Sequence, residues 1–188
     1  MARTYTLKRR AEKQAGTRQR IVEAAVDLHS TIGPAFTTLS MVAERAGVQR
    51  HTLYAHFPDE RSLALACSAL SLDRDPLPEA EAWRGFEDRG ARLRAGIGAV
   101  YAWFGRNADL AGCVLRDAES HALTREIMAL RFGPTVAAWH AVLGEGLDPP
   151  QRAMLHLALG YFTWRALVRE AGLAEDAAVA AMARAVLG

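Results

Sequence analysis

Between Gln49 and His56 the chain places Gln49, Arg50, His51, Thr52, Tyr54 and His56, six side chains that donate or accept hydrogen bonds, with no acid among them. Amide, guanidinium, imidazole, hydroxyl and phenol groups are the partners that base edges and phosphate oxygens take, and carboxylates are what phosphates repel. An ordinary surface helix carries acids, so this pattern points to a polyanion. Eight residues at about 1.5 Å each span roughly 12 Å, enough for a few base pairs.

Such a row needs elements that hold it rigidly outward. Thr37 and Thr38 form an N-cap pair for a short helix over residues 39–46, and Gly47 ends it. A second short helix runs over 49–56. Two short helices crossing steeply need a small residue where their backbones approach, supplied by Ala43, a turn residue tolerant of positive φ, supplied by Gly47, and an apolar plug, Val48. Val42, Ala46, Leu53 and Phe57 point into a shared core by helical spacing. Ahead of them, Ile21, Val22, Ala25, Val26 and Leu28 predict a helix over 17–31, capped by Thr17 and stopped by Gly33-Pro34. Pro58-Asp59 opens a fourth helix over 59–71. The whole is a helix-turn-helix unit with its supporting helices.

The charge distribution agrees. A net charge of +2 over 188 residues, taken alone, argues against a nucleic-acid partner. Seven basic residues (Arg3, Lys8, Arg9, Arg10, Lys13, Arg18 and Arg20) against Glu12 put +6 in the first 20 residues, leaving −4 for the rest. Residues 1–16 are expected to be a flexible basic arm.

The stretch VAERAGVQRHTLYAHFPD, within residues 17–66, resembles the TetR family of bacterial transcriptional regulators: core spacing, turn glycine and the Tyr-x-His-Phe ending coincide. The resemblance implies that Thr37 or Thr38 meets a phosphate, that Arg50, His51 and Thr52 read bases with Gln49 beside them, and that Tyr54 and His56 hold phosphates while Phe57 locks the helix to the core. Arg18 joins the backbone-contacting set. Where the family commonly has Lys opening the fourth helix, this chain has Glu60 followed by Arg61, which leaves Arg61 as the basic candidate there. The resemblance also implies a homodimer on a (pseudo)palindromic double-stranded DNA operator, and a small-molecule effector in the remaining helices.

The rest of the chain reads as helix too. With 37 Ala and 22 Leu against 25 Val, Ile and Thr, the composition favours an all-α protein, here of about nine helices. Residues 73–85, with two prolines and the acids Asp73, Asp75, Glu79 and Glu81, read as a solvated linker between a module at 17–72 and a bundle at 86–188. Helices are expected over 86–107, 108–119, 122–144 with a bend at Gly133-Pro134, 150–171 and 174–187. Tyr101, Tyr161 and Trp164 accompany the effector-site candidates Trp103, Phe104, Met128, Phe132, Trp139, His140 and Phe162, which suit a largely apolar ligand. Leu155, Leu159, Phe162, Val179, Met182 and Val186 are the dimer-face candidates by periodicity.

Other classes find less support. No glycine-rich loop, G-x-S-x-G or HExxH appears, so no catalytic residue and no cofactor is assigned. His121, His140 and His156 lack helical metal-ligand spacing, and Cys67 and Cys113 read as small core side chains. No apolar run approaches a membrane span and no secretory leader is visible, so a cytoplasmic protein off the membrane is expected. The expected function is a ligand-responsive repressor. An activator or architectural DNA-binding protein without effector, or a helical enzyme on a borrowed module, are the alternatives.

Overall fold

Helix α1 spans Ala2–Thr31 in the computed structural model, which describes residues 2–188, with side chains from residue 9 onward. The side chains of Arg3 and Lys8, both part of the basic head, thus lie outside the described residues, as does Met1. The expected start at Thr17 differs from the structure: Thr17 lies inside the helix and its hydroxyl donates to the Lys13 carbonyl at 3.0 Å. Residues 2–16, expected as an arm, continue α1 because Ala, Leu, Lys, Arg, Glu and Gln dominate them and no proline interrupts.

After α1 come a 3-10 turn (Pro34–Phe36), α2 (Leu39–Arg45), α3 (Arg50–His56), α4 (Glu60–Arg74), a second 3-10 turn (Ala80–Trp83), α5 (Arg89–Arg106), α6 (Ala108–Ala118) and α7 (Ala122–Arg131). Then follow α8 (Gly133–Leu143), α9 (Pro149–Ala158), α10 (Tyr161–Trp164), a π-wound stretch (Arg165–Glu170) and α11 (Glu175–Leu187). The protein is all-α, with no strand among the described residues. Eleven helices replace nine because two expected helices are split. Pro134, which lacks an N–H and clashes with the preceding turn, separates α7 from α8. Gly160, extended at φ −79° and ψ 137°, separates α9 from α10.

Two compact units divide the chain: Met1–Arg74 with Gly112–Ile127, and Asp75–Ala111 with Met128–Gly188. The first junction falls between Arg74 and Asp75. Residues 112–127, expected in the second domain, belong with the first. In the N-terminal unit Ile21, Val22, Ala25, Val42, Ala43, Leu53, Phe57, Leu63 and Cys67 form the core shared by α1 to α4. In the C-terminal unit α5 is the axis, burying Leu93, Ile97, Val100, Tyr101, Trp103 and Phe104. The acidic segment expected as a solvated linker is tied down there. Asp75 accepts from Arg106 at 2.9 and 3.0 Å and from Asn107 at 2.7 Å, and the Arg106 hydrogen bond holds its carboxyl below the usual range.

The turn after α1 is clasped by α6. Asp117, 2% exposed, accepts from the Ala35 N–H at 2.9 Å and from Arg116 at 2.8 Å, while Arg116 donates to the Ile32 carbonyl at 2.8 Å and lies over the Phe36 ring. Gly33 has φ 99° and ψ 157°, a conformation open essentially to glycine alone, and a Cβ there would run into the Arg116 guanidinium and the Asp117 carboxylate. Gly33→Ala should therefore lower unfolding stability by about 1–3 kcal/mol, read by denaturant melts.

His29 sits near the same clasp, and burial, outweighing the raising effect of Asp117, pushes its pKa from 6.5 down to about 4. In the window between about 6.5 and about 4 the unfolded chain binds a proton that the folded chain does not, so this group's contribution is intact above the window and is lost as pH falls through it. Melts of wild type and His29→Gln across that window should show a shallower loss of stability in the variant.

Candidate nucleic-acid interface

Thr38 starts the presenting hairpin. Its hydroxyl accepts from the Met41 N–H at 3.2 Å as the N-cap of α2, while Thr37, one residue outside, donates its hydroxyl to the Gly33 carbonyl at 2.8 Å. At the other end Gly47, at φ 64°, closes α2: its N–H donates to the Glu44 carbonyl at 3.0 Å, and the Val48 N–H to Ala43 at 2.9 Å. These paired bonds make a Schellman ending, which sends the chain sharply into α3. Gln49 is the N-cap residue of α3 but makes no side-chain cap bond.

Helix α3 is anchored by Leu53 and by Phe57 just beyond its end, each 1% exposed. Anchoring those two leaves Gln49, Arg50, His51 and Tyr54 exposed and Thr52 and His56 half-buried, so the six predicted polar residues ring the outer side of one short helix. His51 and Thr52 lie within hydrogen-bond reach of one another at 3.3 Å. No acid is carried by α3, which keeps its surface compatible with phosphates. Two predicted contacts are engaged elsewhere. Arg18 stacks its guanidinium 4.7 Å from the centroid of the Phe57 ring, and Arg61 donates to Glu126 at 2.8 Å. Arg18 thereby braces the anchor of α3. Asp59, ahead of α4, accepts from the Ser62 N–H at 2.7 Å, a bond that lowers its pKa.

In the C-terminal unit the effector candidates separate. Trp103 meets Phe104 and Phe132 at ring distances of 5.8 and 6.3 Å, and Phe104 meets Tyr161 and Trp164 at 5.4 and 6.0 Å. Trp139 belongs to another group, 6.4 Å from Trp83, a partner the sequence reading passed over. His140 stacks on His156 at 5.4 Å, and burial, then the neighbouring imidazole, lowers its pKa. Met128 is half-buried, and Phe162 is 45% exposed with Arg165 over its ring. Among the described residues no cluster of three or more metal-ligating side chains occurs, and no helix is long and apolar enough to cross a membrane.

The dimer candidates are placed mainly inside. Leu155, Leu159, Val179 and Val186 are buried in the chain's own core and Met182 is half-buried, which leaves Phe162 as the exposed member. Helical spacing picks out an apolar face, and here α5 and α9 cover that of α11. Leu157, Leu173 and Leu187 are, together with Phe162, the large apolar side chains left exposed from α9 onward.

Residues 21–67 match the model for bacterial regulatory proteins of the tetR family. No curated protein matches the chain. Among solved structures the chain is similar to a transcriptional regulator FadR from Bacillus subtilis in complex with stearoyl-CoA, at 16% identity and TM-score 0.67 over 90% of this chain and 97% of that one. It is similar also to the fatty acid degradation regulator FadR from Bacillus halodurans, at 18% identity and TM-score 0.65 over 92% and 95% of the two chains. A third is the TetR family transcriptional regulator PfmR from Thermus thermophilus, at 21% identity and TM-score 0.62 over 89% and 97%. Residues 21–67 are thus similar to the helix-turn-helix region of the tetR family of bacterial regulatory proteins, and the chain has the fold of those solved regulators.

Proposed function

We propose that this chain is a ligand-responsive transcriptional repressor that binds a (pseudo)palindromic operator as a homodimer and is released by a small, largely apolar molecule held in the C-terminal unit. The observation that carries the reading is α3: a short helix, anchored at Leu53 and Phe57, whose outward residues are polar apart from the small Ala55 and none of them acidic. In this reading Arg50, His51 and Thr52 meet base edges in the major groove with Gln49 beside them, and Thr37, Thr38, Tyr54 and His56 meet phosphates. One such helix reads one half-site, so a two-fold operator calls for two chains.

The effector side draws support from the aromatic groups around α5 and from the B. subtilis relative, whose structure holds stearoyl-CoA. Coupling follows the chain itself. Residues 108–111 of α6 belong to the C-terminal unit, and residues 112–118 of the same helix, Arg116 and Asp117 among them, belong to the N-terminal unit and clasp the turn before α2. An effector that binds one α6 position better than another changes operator affinity by its differential binding, about 1–3 kcal/mol in typical cases. This is binding chemistry, with no catalytic step.

Selection of bound sequences from a random duplex library should enrich an inverted repeat; no enrichment over random duplex overturns the reading. Arg50→Ala or His51→Ala should relax preference at one or two positions of each half-site by about 1–3 kcal/mol per lost contact. Deleting residues 2–13 removes Arg3, Lys8, Arg9, Arg10 and Lys13. The deletion should weaken enriched and random duplexes alike and flatten the dependence of log K on log salt. An unchanged slope would show that the basic head makes no phosphate contact.

A further inference from the structure

The C-terminal unit pairs three of its buried aromatic donors and leaves two unpaired. Trp103 Nε1 donates to the Asp75 carbonyl at 3.1 Å, Trp139 Nε1 to Pro78 at 2.7 Å and the Tyr161 hydroxyl to Ala108 at 2.9 Å. Tyr101, 0% exposed, and Trp164, 1% exposed, have no partner for Oη or Nε1. Buried donors without acceptors are rare in native proteins, because each forgoes the hydrogen bond it would make to water.

The two lie on helices that pack together, Trp164 on α10 and Tyr101 on α5. The Trp164 ring lies 6.0 Å from that of Phe104, and Tyr101 precedes Phe104 by three residues on the buried face of α5. The backbone carrying Trp164 is irregular on both sides. Extended Gly160 opens the four-residue α10, and the chain turns π-helical at Arg165, directly after Trp164. Helical segments wound in this way are rare and gather at functional sites.

We propose that Tyr101 Oη and Trp164 Nε1 are the polar end of the effector site, and that they hold a ligand that is apolar along most of its length and ends in a neutral hydrogen-bond acceptor, such as an ester, ketone or amide carbonyl. The inference rests on the effector-responsive reading above. Indole N–H donates only, and burial alone raises the Tyr101 phenol to about 12, so both groups are neutral donors in search of an acceptor. A carboxylate placed against Tyr101 would give up its hydration beside a wholly buried phenol, a cost that a neutral acceptor avoids. Arg169, whose guanidinium lies 5.5 Å from the centroid of the Trp164 ring, stays exposed. Phe104, Ile97 and Val100 on α5 and Tyr161 on α10 are buried on the same two helices.

Methyl decanoate, decanoate and decane share an apolar chain and differ at its end, so calorimetric titration and melting of the full-length protein with each separates the terms. The ester should bind tightest and raise Tm most. Tyr101→Phe should weaken the ester roughly tenfold, leave decane unchanged, and melt no lower than wild type without ligand, since it removes an unpaired hydroxyl. Trp164→Phe should weaken the ester likewise; if it fails to fold, Tyr101→Phe decides. The proposal is overturned if none of the three binds, if decane or decanoate equals the ester, if the ester's advantage survives Tyr101→Phe, or if that variant melts well below wild type. A compound of another class that releases the enriched duplex would then leave the effector-responsive reading standing, whereas a broad screen in which nothing alters DNA binding removes that reading itself.

Discussion

A carboxylate taken almost wholly out of water organises the N-terminal unit. Asp117 is tolerated there because its oxygens receive the Ala35 N–H and the Arg116 guanidinium, and Arg116 is itself held by the Ile32 carbonyl and the Phe36 ring. A buried charge of this kind stabilises little in net terms, but it cannot lose one partner cheaply, since the other charge is then stranded. Its effect is to specify one geometry. The turn it clasps is the place where α1 ends and the path to α2 begins, and only glycine at position 33 fits it.

The placement of α3 follows from that turn in short, local steps. Thr38 caps α2, the Schellman ending at Gly47 redirects the chain, and Leu53 and Phe57 pin α3 to the core that Ile21, Val22 and Ala25 supply. With two apolar anchors spent inward, the remaining positions of α3 are free for polar chemistry. Arg18, stacked on Phe57, adds a brace to the same anchor. The C-terminal unit repeats the scheme on a larger scale, with α5 as the apolar axis and hydrogen bonds from Trp103, Trp139 and Tyr161 tying chain segments around it.

The parts legible in the sequence are those whose signal is local. Gly47, Val48, Leu53 and Phe57 lie within eleven positions of one another, and each meets a demand of a helix-turn-helix that spacing alone expresses. The Asp117 clasp joins residues 82 positions apart, and a single acid on a helix carries no periodic mark of such a partner. The same holds for Arg61 with Glu126 and Asp75 with Arg106: each reads as a surface charge until the fold brings its partner near. Gly33 was visible as a helix stop, though not as a position where a side chain would strike Asp117. Thr17 has the composition of an N-cap, but strong helix formers before it carry α1 past it. Leu155, Leu159, Val179 and Val186 show how far periodicity reaches: it finds an apolar face without saying whether this chain or a second copy covers it.

Under the proposed function α3 enters the major groove and reads it twice, once from each of two symmetric chains. Methylation interference on the bound duplex tests this at the atoms concerned, because guanine N7 faces the major groove and adenine N3 the minor. Methylated guanine N7 should block binding at positions arranged symmetrically about the centre of the site. Interference confined to adenine N3, or none in either groove, would contradict it.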